Sequence, residues 1–236
     1  MKQIEQVIDV MRRNGGYATL GYLNQNVNVS EWKTKTPFAS IRRIVQDERF
    51  FFRIKPGLWA LKECRNDVLK KFNIEISGKK SEEFNHTYYQ GLLVEIGNLN
   101  NYNTYIPPQD KNKLFLEKKL GSIARISSIY EFSFPEIVNR AKTIDVIWFN
   151  KRKLPDSFFE IEHTTDIQNS LLKFFDLQDY FSNFYIVSAK EREQEFFKKI
   201  KFNAFENLQT RVKFIEYNYV AELHTKTAEL KRIFNL

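Results

Sequence analysis

Ile144-Asp145-Val146-Ile147-Trp148-Phe149 and Phe158-Phe159-Glu160-Ile161-Glu162-His163 are two short β-rich runs, each carrying carboxylates among apolar side chains. The two-residue repeat of an extended chain puts Glu160 and Glu162 on one face, with Phe159, Ile161 and His163 on the other. The polar stretch Asn150–Asp156 is short enough for a tight connection. A hairpin of the two strands then brings Asp145 within reach of Glu160. Two acids on one face are usually solvated. Buried together, they require a cation or a proton between them. Oxygen-only ligands suit Mg²⁺, which keeps several waters and borrows oxygens from substrate phosphate. Such an ion polarises a phosphate and lowers the pKa of an attacking water.

Working outward, Leu171, Leu172, Phe175, Leu177 and Phe181 predict a helix over 167–182. Thr164, Thr165 and Asp166 stand where they cap it, or where they touch phosphate. Lys173 lies on that helix, solvated or reaching back to the acids. A strand at 184–188, a helix at 190–202, a strand at 212–217 and a helix from about 220 complete the C-terminal side. Upstream, Phe84, Tyr88, Leu92, Ile96 and Leu99 predict a helix that carries Glu95 near its end. Tyr102–Ile106 reads as a strand stopped by Pro107-Pro108. Residues 109–143 are the least legible, apart from a helix at Pro135–Lys142. The order predicts an α/β core, a mixed sheet flanked by helices.

The first 64 residues have another character. Ile4, Val7, Ile8 and Met11 predict an amphipathic helix over 2–13, ended by Asn14-Gly15-Gly16. Thr19 suits the N-cap of a short second helix. Thr36-Pro37 supplies a capping side chain and a first-turn proline, before an apolar stripe of Phe38, Ile41, Ile44 and Val45. Two aromatic-rich strands flank Lys55-Pro56-Gly57, where Gly57 suits the positive-φ position of a type II turn. Three helices and a hairpin predict a winged helix-turn-helix, so the fold class is a two-domain α+β chain. In that arrangement Ser40, Arg42, Arg43 and Gln46 meet a DNA groove, and Lys55 lies on phosphates. The reading divides the chain into a winged helix (1–64), a linker (65–80) with a hinge at Ser77–Lys80, and a second domain (81–236).

Composition bounds the partner. The net charge is +8, and residues 1–64 hold eleven Lys and Arg against six Asp and Glu. That local excess favours a polyanion such as double-stranded DNA. The single cysteine, Cys64, excludes an intramolecular disulfide, and three histidines argue against structural zinc. No signal peptide or membrane-length apolar run is present, so a cytoplasmic location is expected, with neither membrane nor small-molecule cofactor.

The run WKTKTPFASIRRIVQDERFFFRIKPGLWAL resembles the HARE-HTH domain, a winged helix found fused to restriction endonucleases and some chromatin proteins. Asp145, fourteen intervening residues and then Glu160-Ile161-Glu162 resemble the PD-(D/E)XK nuclease core. The resemblance implies that Asp145 and Glu160 hold Mg²⁺ and that Glu95 is an accessory acid. Glu162 stands where that motif usually has lysine, as in its E-x-E versions. Glu162 or Lys173 then assists the water, and His163 is a structural histidine or a base. The resemblance implies a homodimeric type II-like restriction endonuclease. A modification-dependent or repair nuclease and a non-catalytic DNA-binding regulator are the other readings.

Overall fold

A computed structural model describes residues 2–72, 74 and 79–234. They group into two compact units, Met1–Ser77 with Ala221–Leu236, and Gly78–Val220. Residues from 221 on, kept with the second domain in the sequence reading, therefore group with the first. Of the expected hinge, Ser77 and Gly78 lie outside the described residues.

In the first unit α1 (Gln3–Arg13) buries Val7 and Met11 and carries Arg12 and Arg13 in its last turn, where cations complement the helix dipole. Gly16, at φ +88°, closes it by donating from its N–H to the Met11 carbonyl at 2.8 Å. β1 (Tyr17–Thr19) leads into α2 (Leu20–Asn26), and the Thr19 hydroxyl accepts from the Tyr22 N–H at 3.1 Å. Pro37 opens α3 (Pro37–Ile44), but the expected Thr36 side-chain cap is not formed. The Thr36 N–H instead donates to the Thr34 hydroxyl at 3.2 Å, which turns the preceding loop on itself. β2 (Phe51–Lys55) and β3 (Leu58–Leu61) pair antiparallel around Gly57, at φ +76°, and β1 joins the other edge of β3. Val7, Met11, Leu23, Phe38, Ile41 and Phe51 form the core. α4 (Arg65–Lys71) follows.

The second unit begins with α5 (Lys79–Leu99) and β4 (Asn103–Tyr105). The illegible stretch holds a small hairpin, β5 (Leu114–Phe115) with β6 (Lys118–Lys119), then α6 (Leu120–Ile123) and α7 (Pro135–Ala141). β7 (Val146–Phe149), β8 (Pro155–Glu162), α8 (Ile167–Phe175), β9 (Asn183–Ser188), α9 (Glu193–Ile200), β10 (Val212–Glu216) and α10 (Tyr217–Phe234) follow. The sheet order is β10-β9-β8-β7-β4, parallel among β8, β9 and β10 and antiparallel at β7 and β4. This is a mixed sheet flanked by helices, as expected.

Two boundaries need correction. α8 stops at Phe175 because the chain must turn back to pair Asn183 with Ser157 in the parallel register. The carbonyls of Gln178, Tyr180 and Ser182, released from any helix, accept from the Arg211 guanidinium instead. The helix expected over 190–202 is a short 3₁₀ turn at Lys190–Arg192 followed by α9.

β8 is buried on both sides. Phe158 packs with Leu171 and Phe174 of α8. Phe159, on the opposite face, lies 4.6 Å from the Trp148 ring, whose indole N–H donates to the Leu93 carbonyl of α5 at 3.0 Å. The strand is thus sandwiched by helices, and any acid on it is drawn out of water.

Candidate functional site

Val146 pairs with Phe159, so Asp145 arrives opposite Glu160 at the end of the β7–β8 ladder. Asp145 Oδ2 accepts from the Ile161 backbone N–H at 2.7 Å, which fixes the carboxylate against the neighbouring strand. Glu160 and Glu162 are buried, on the face covered by α8. Ser170, buried on α8, sits between them. Its Oγ is 2.8 Å from Glu160 Oε2 and also bonds Glu162 Oε1. A hydroxyl has one proton, so a second proton has to be shared if both contacts are hydrogen bonds. Burial, then the Asp145 charge, pushes the Glu160 carboxyl above the usual carboxylate range, while Lys173 and Ser170 pull it back.

Lys173 reaches in from the last turn of α8. Its Nζ lies 2.8 and 3.0 Å from the two Glu160 oxygens and 3.1 Å from the Thr143 carbonyl. Burial works against its charge, but Glu160, Asp145 and Glu162 outweigh that and hold it protonated. Three acids face one ammonium.

The other expected residues are dispersed around this centre. The Thr165 hydroxyl donates to Glu162, and Asp166 caps α8 by accepting from the Gln168 N–H at 2.9 Å. Thr164 is exposed. His163 faces α5, its Nε2 3.4 Å from Asn85 Nδ2, so the strand separates it from the Glu160 side. Glu95 is half-buried, five residues beyond Gln90 on α5 and thus about 140° around that helix. In the first unit Arg43 and Gln46 are exposed, Gln46 just past the end of α3, and Ser40 and Arg42 are half-buried. Arg42 is close enough to draw down the Glu222 carboxyl, after the larger effect of Lys226. Lys55 is half-buried, which lowers its pKa.

Four participants escaped the sequence reading: Ser170, His86, Gln90 and Asp110. His86 and Gln90 are four apart on α5, one face of a helix, and that spacing was visible. His86 Nε2 lies 3.5 Å from Asp145 Oδ1, and the Gln90 amide donates to the Asp145 carbonyl at 2.8 Å and to Asp110 Oδ2 at 3.0 Å. Asp110 follows the double proline in the stretch without legible periodicity.

Ser170→Ala removes the one group that bonds both buried glutamates. Each acid then loses a partner it cannot replace with water, a cost of about 1–3 kcal/mol. Urea unfolding is expected to show a lower midpoint with an unchanged slope; an unaltered midpoint contradicts the shared-hydroxyl account.

Comparison with known proteins gives a consistent assignment. The family described as the type II restriction enzyme NmeDI C-terminal domain matches residues 68–235. The type II restriction enzyme NmeDI of Neisseria meningitidis serogroup C is 29% identical over 150 residues, covering 59% of this chain and 42% of that protein. The chain thus aligns with less than half the length of that relative. No solved structure matches. Among the described residues, no helix is long and apolar enough to cross a membrane.

Proposed function

Since the chain belongs to the family of the type II restriction enzyme NmeDI C-terminal domain, we propose that it is a Mg²⁺-dependent, type II-like restriction endonuclease hydrolysing double-stranded DNA. The observation that carries this reading is the group of half-buried Asp145 and buried Glu160 and Glu162, faced by a single ammonium, Lys173. That donor set fits a hard divalent cation, which can replace the proton that the crowded carboxylates otherwise hold between them. Asp145 and Glu160 are the ligands proposed for Mg²⁺, which when bound supplies charge neutralisation at a phosphate and acidifies a water.

The chain's own groups do the rest. Lys173, coming from α8 and not from the strand, takes the place of the lysine that the Glu160-Ile161-Glu162 sequence lacks. Its ammonium orients Glu160 now and stabilises phosphate charge in the complex. Glu162, held by Ser170 and Thr165, is positioned to keep Ser170 turned toward Glu160. Thr164 and Thr165 lie on the same loop and are proposed phosphate contacts. His163 is proposed to be structural, and Glu95 an accessory acid that acts only after the α5 side rearranges around DNA.

Helices α1 to α3 and the antiparallel sheet of the first unit support a winged-helix reading. Arg42, Arg43, Gln46 and Ser40 are then proposed to face DNA, and Lys55 to lie on its backbone. Arg42→Ala and Arg43→Ala are each expected to weaken DNA binding and to reduce the slope of log K against log salt by about 1. Fluorescence anisotropy at several salt concentrations measures this; an unchanged slope removes these residues from the interface. A homodimer is proposed because cutting both strands of a symmetric site calls for two active sites about a two-fold axis. The proposed location is cytoplasmic.

The test is plasmid cleavage with and without Mg²⁺, on substrates of many sequences and methylation states. Tight binding with intact plasmid throughout overturns the enzyme reading in favour of a DNA-binding regulator.

A further inference from the structure

On the opposite side of Asp145 from Glu160, three metal-ligating groups converge from different elements. One ligand atom each from His86, Asp110 and Asp145 lies within 4.8 Å of the others. His86 comes from the middle of α5, Asp110 from the 3₁₀ turn after Pro107, and Asp145 from the residue just before β7. Asp110 is 3% exposed, a burial that a carboxylate tolerates only with strong compensation. Part of that compensation is Lys113, whose Nζ is 2.7 Å from Asp110 Oδ1 and whose side chain is 34% exposed, free to swing outward.

Gln90 supplies an independent observation. Its side chain is fully buried, and its amide nitrogen is pinned between Asp110 Oδ2 and the Asp145 carbonyl. Both of those partners are acceptors, so the nitrogen has to face them and the amide cannot be turned over. The oxygen on the same carbon is thereby fixed in place, and Oε1 is buried with no hydrogen-bond partner among the described residues. A buried carbonyl oxygen without a donor is costly, and a cation or its bound water relieves that cost.

We propose that His86, Asp110 and Asp145 form a second divalent-cation site that takes a first-row transition metal such as Mn²⁺ in preference to Mg²⁺, with Gln90 Oε1 as a further oxygen donor. The imidazole sets the preference. Mg²⁺ favours an all-oxygen shell and gives up water reluctantly, whereas imidazole suits the transition metals. Asp145 then serves both sites, Oδ1 toward His86 and the rest of the group toward Glu160. The second site shares only this residue with the nuclease reading, so variants at His86 or Asp110 on one side and at Glu160 on the other tell the two apart.

Mn²⁺ binding to the full chain, counted by electron paramagnetic resonance of the free ion, tests it, with Mg²⁺ as competitor and a thermal melt of each variant. The expected result is Mn²⁺ binding that excess Mg²⁺ displaces poorly. Asp110→Asn and His86→Gln should each weaken it at least tenfold, and Glu160→Gln should preserve it. His86→Gln decides the matter if Asp110→Asn fails to fold, because the His86 side chain is 24% exposed and its replacement leaves Asp110 paired. Loss of binding in Glu160→Gln, with both other variants normal, overturns the second site and leaves the Asp145–Glu160 reading intact. A chain that binds Mg²⁺ as tightly as Mn²⁺ overturns the preference. A chain that binds neither ion overturns the second site and the Mg²⁺ reading together.

Discussion

Asp145→Asn is expected to lower Mg²⁺-dependent plasmid cleavage by roughly 10³-fold or more, the scale of removing charge stabilisation built for a transition state. The substitution is nearly isosteric, and its amide oxygen still accepts from the Ile161 N–H that Asp145 Oδ2 holds at 2.7 Å. The β7–β8 ladder therefore survives, and the unfolding midpoint should barely change. DNA binding should also survive, since the first unit is untouched. Cleavage within threefold of the wild type, measured under single-turnover conditions, removes Asp145 from the catalytic group. Loss of cleavage with a collapsed melting curve assigns it a structural role.

Lys173→Met has the second large effect, and it falls on two observables. The methionine fills much of the aliphatic volume but leaves Glu160, 3% exposed, beside Asp145 without its ammonium. Breaking a buried pair from one side costs about 3 kcal/mol. The pH dependence has a definite sign. The Glu160 carboxyl is raised in the folded chain by burial and by Asp145, so its proton is bound more tightly there than in the unfolded chain. Its contribution to stability is present below the ordinary carboxylate range and is lost as pH rises through the raised value. Without Lys173 that loss deepens, so the variant should be least stable in alkaline buffer. Mg²⁺ should raise its midpoint more than that of the wild type, because a bound ion stabilises whichever state binds it. Cleavage should fall by roughly 10²-fold or more. A variant as stable as the wild type at pH 8, and insensitive to Mg²⁺, overturns the account.

The site was legible where local rules and partner strands agree. Glu160 and Glu162 could be paired on one face from a two-residue repeat, and Asp145 could be joined to them by the shortness of Asn150–Asp156. Lys173 was within reach because helix α8 must start directly after β8. What escaped was non-local. Ser170 reads as one more polar residue on an amphipathic helix until the helix is laid over the glutamates. Asp110 precedes a two-strand hairpin too short for any periodicity, and only the packing of α5 brings His86 and Gln90 to it. The end of α8 was misjudged for a related reason. Phe181 continues the apolar pattern in sequence yet is fully exposed, and a distant arginine, Arg211, satisfies the carbonyls that a longer helix would have used.

The first unit is completed by the last part of the chain. Arg232 donates to the Asn24 and Val27 carbonyls, Gln25 donates to the Ala228 carbonyl, and a Cβ on Gly21 would meet the His224 ring at 2.5 Å. Translation makes residues 78–220 before residue 221, and domains generally fold as units. The two parts of the first unit are therefore separated in synthesis by the whole acid-bearing unit, and the first part can close only once residues 221–234 have been made.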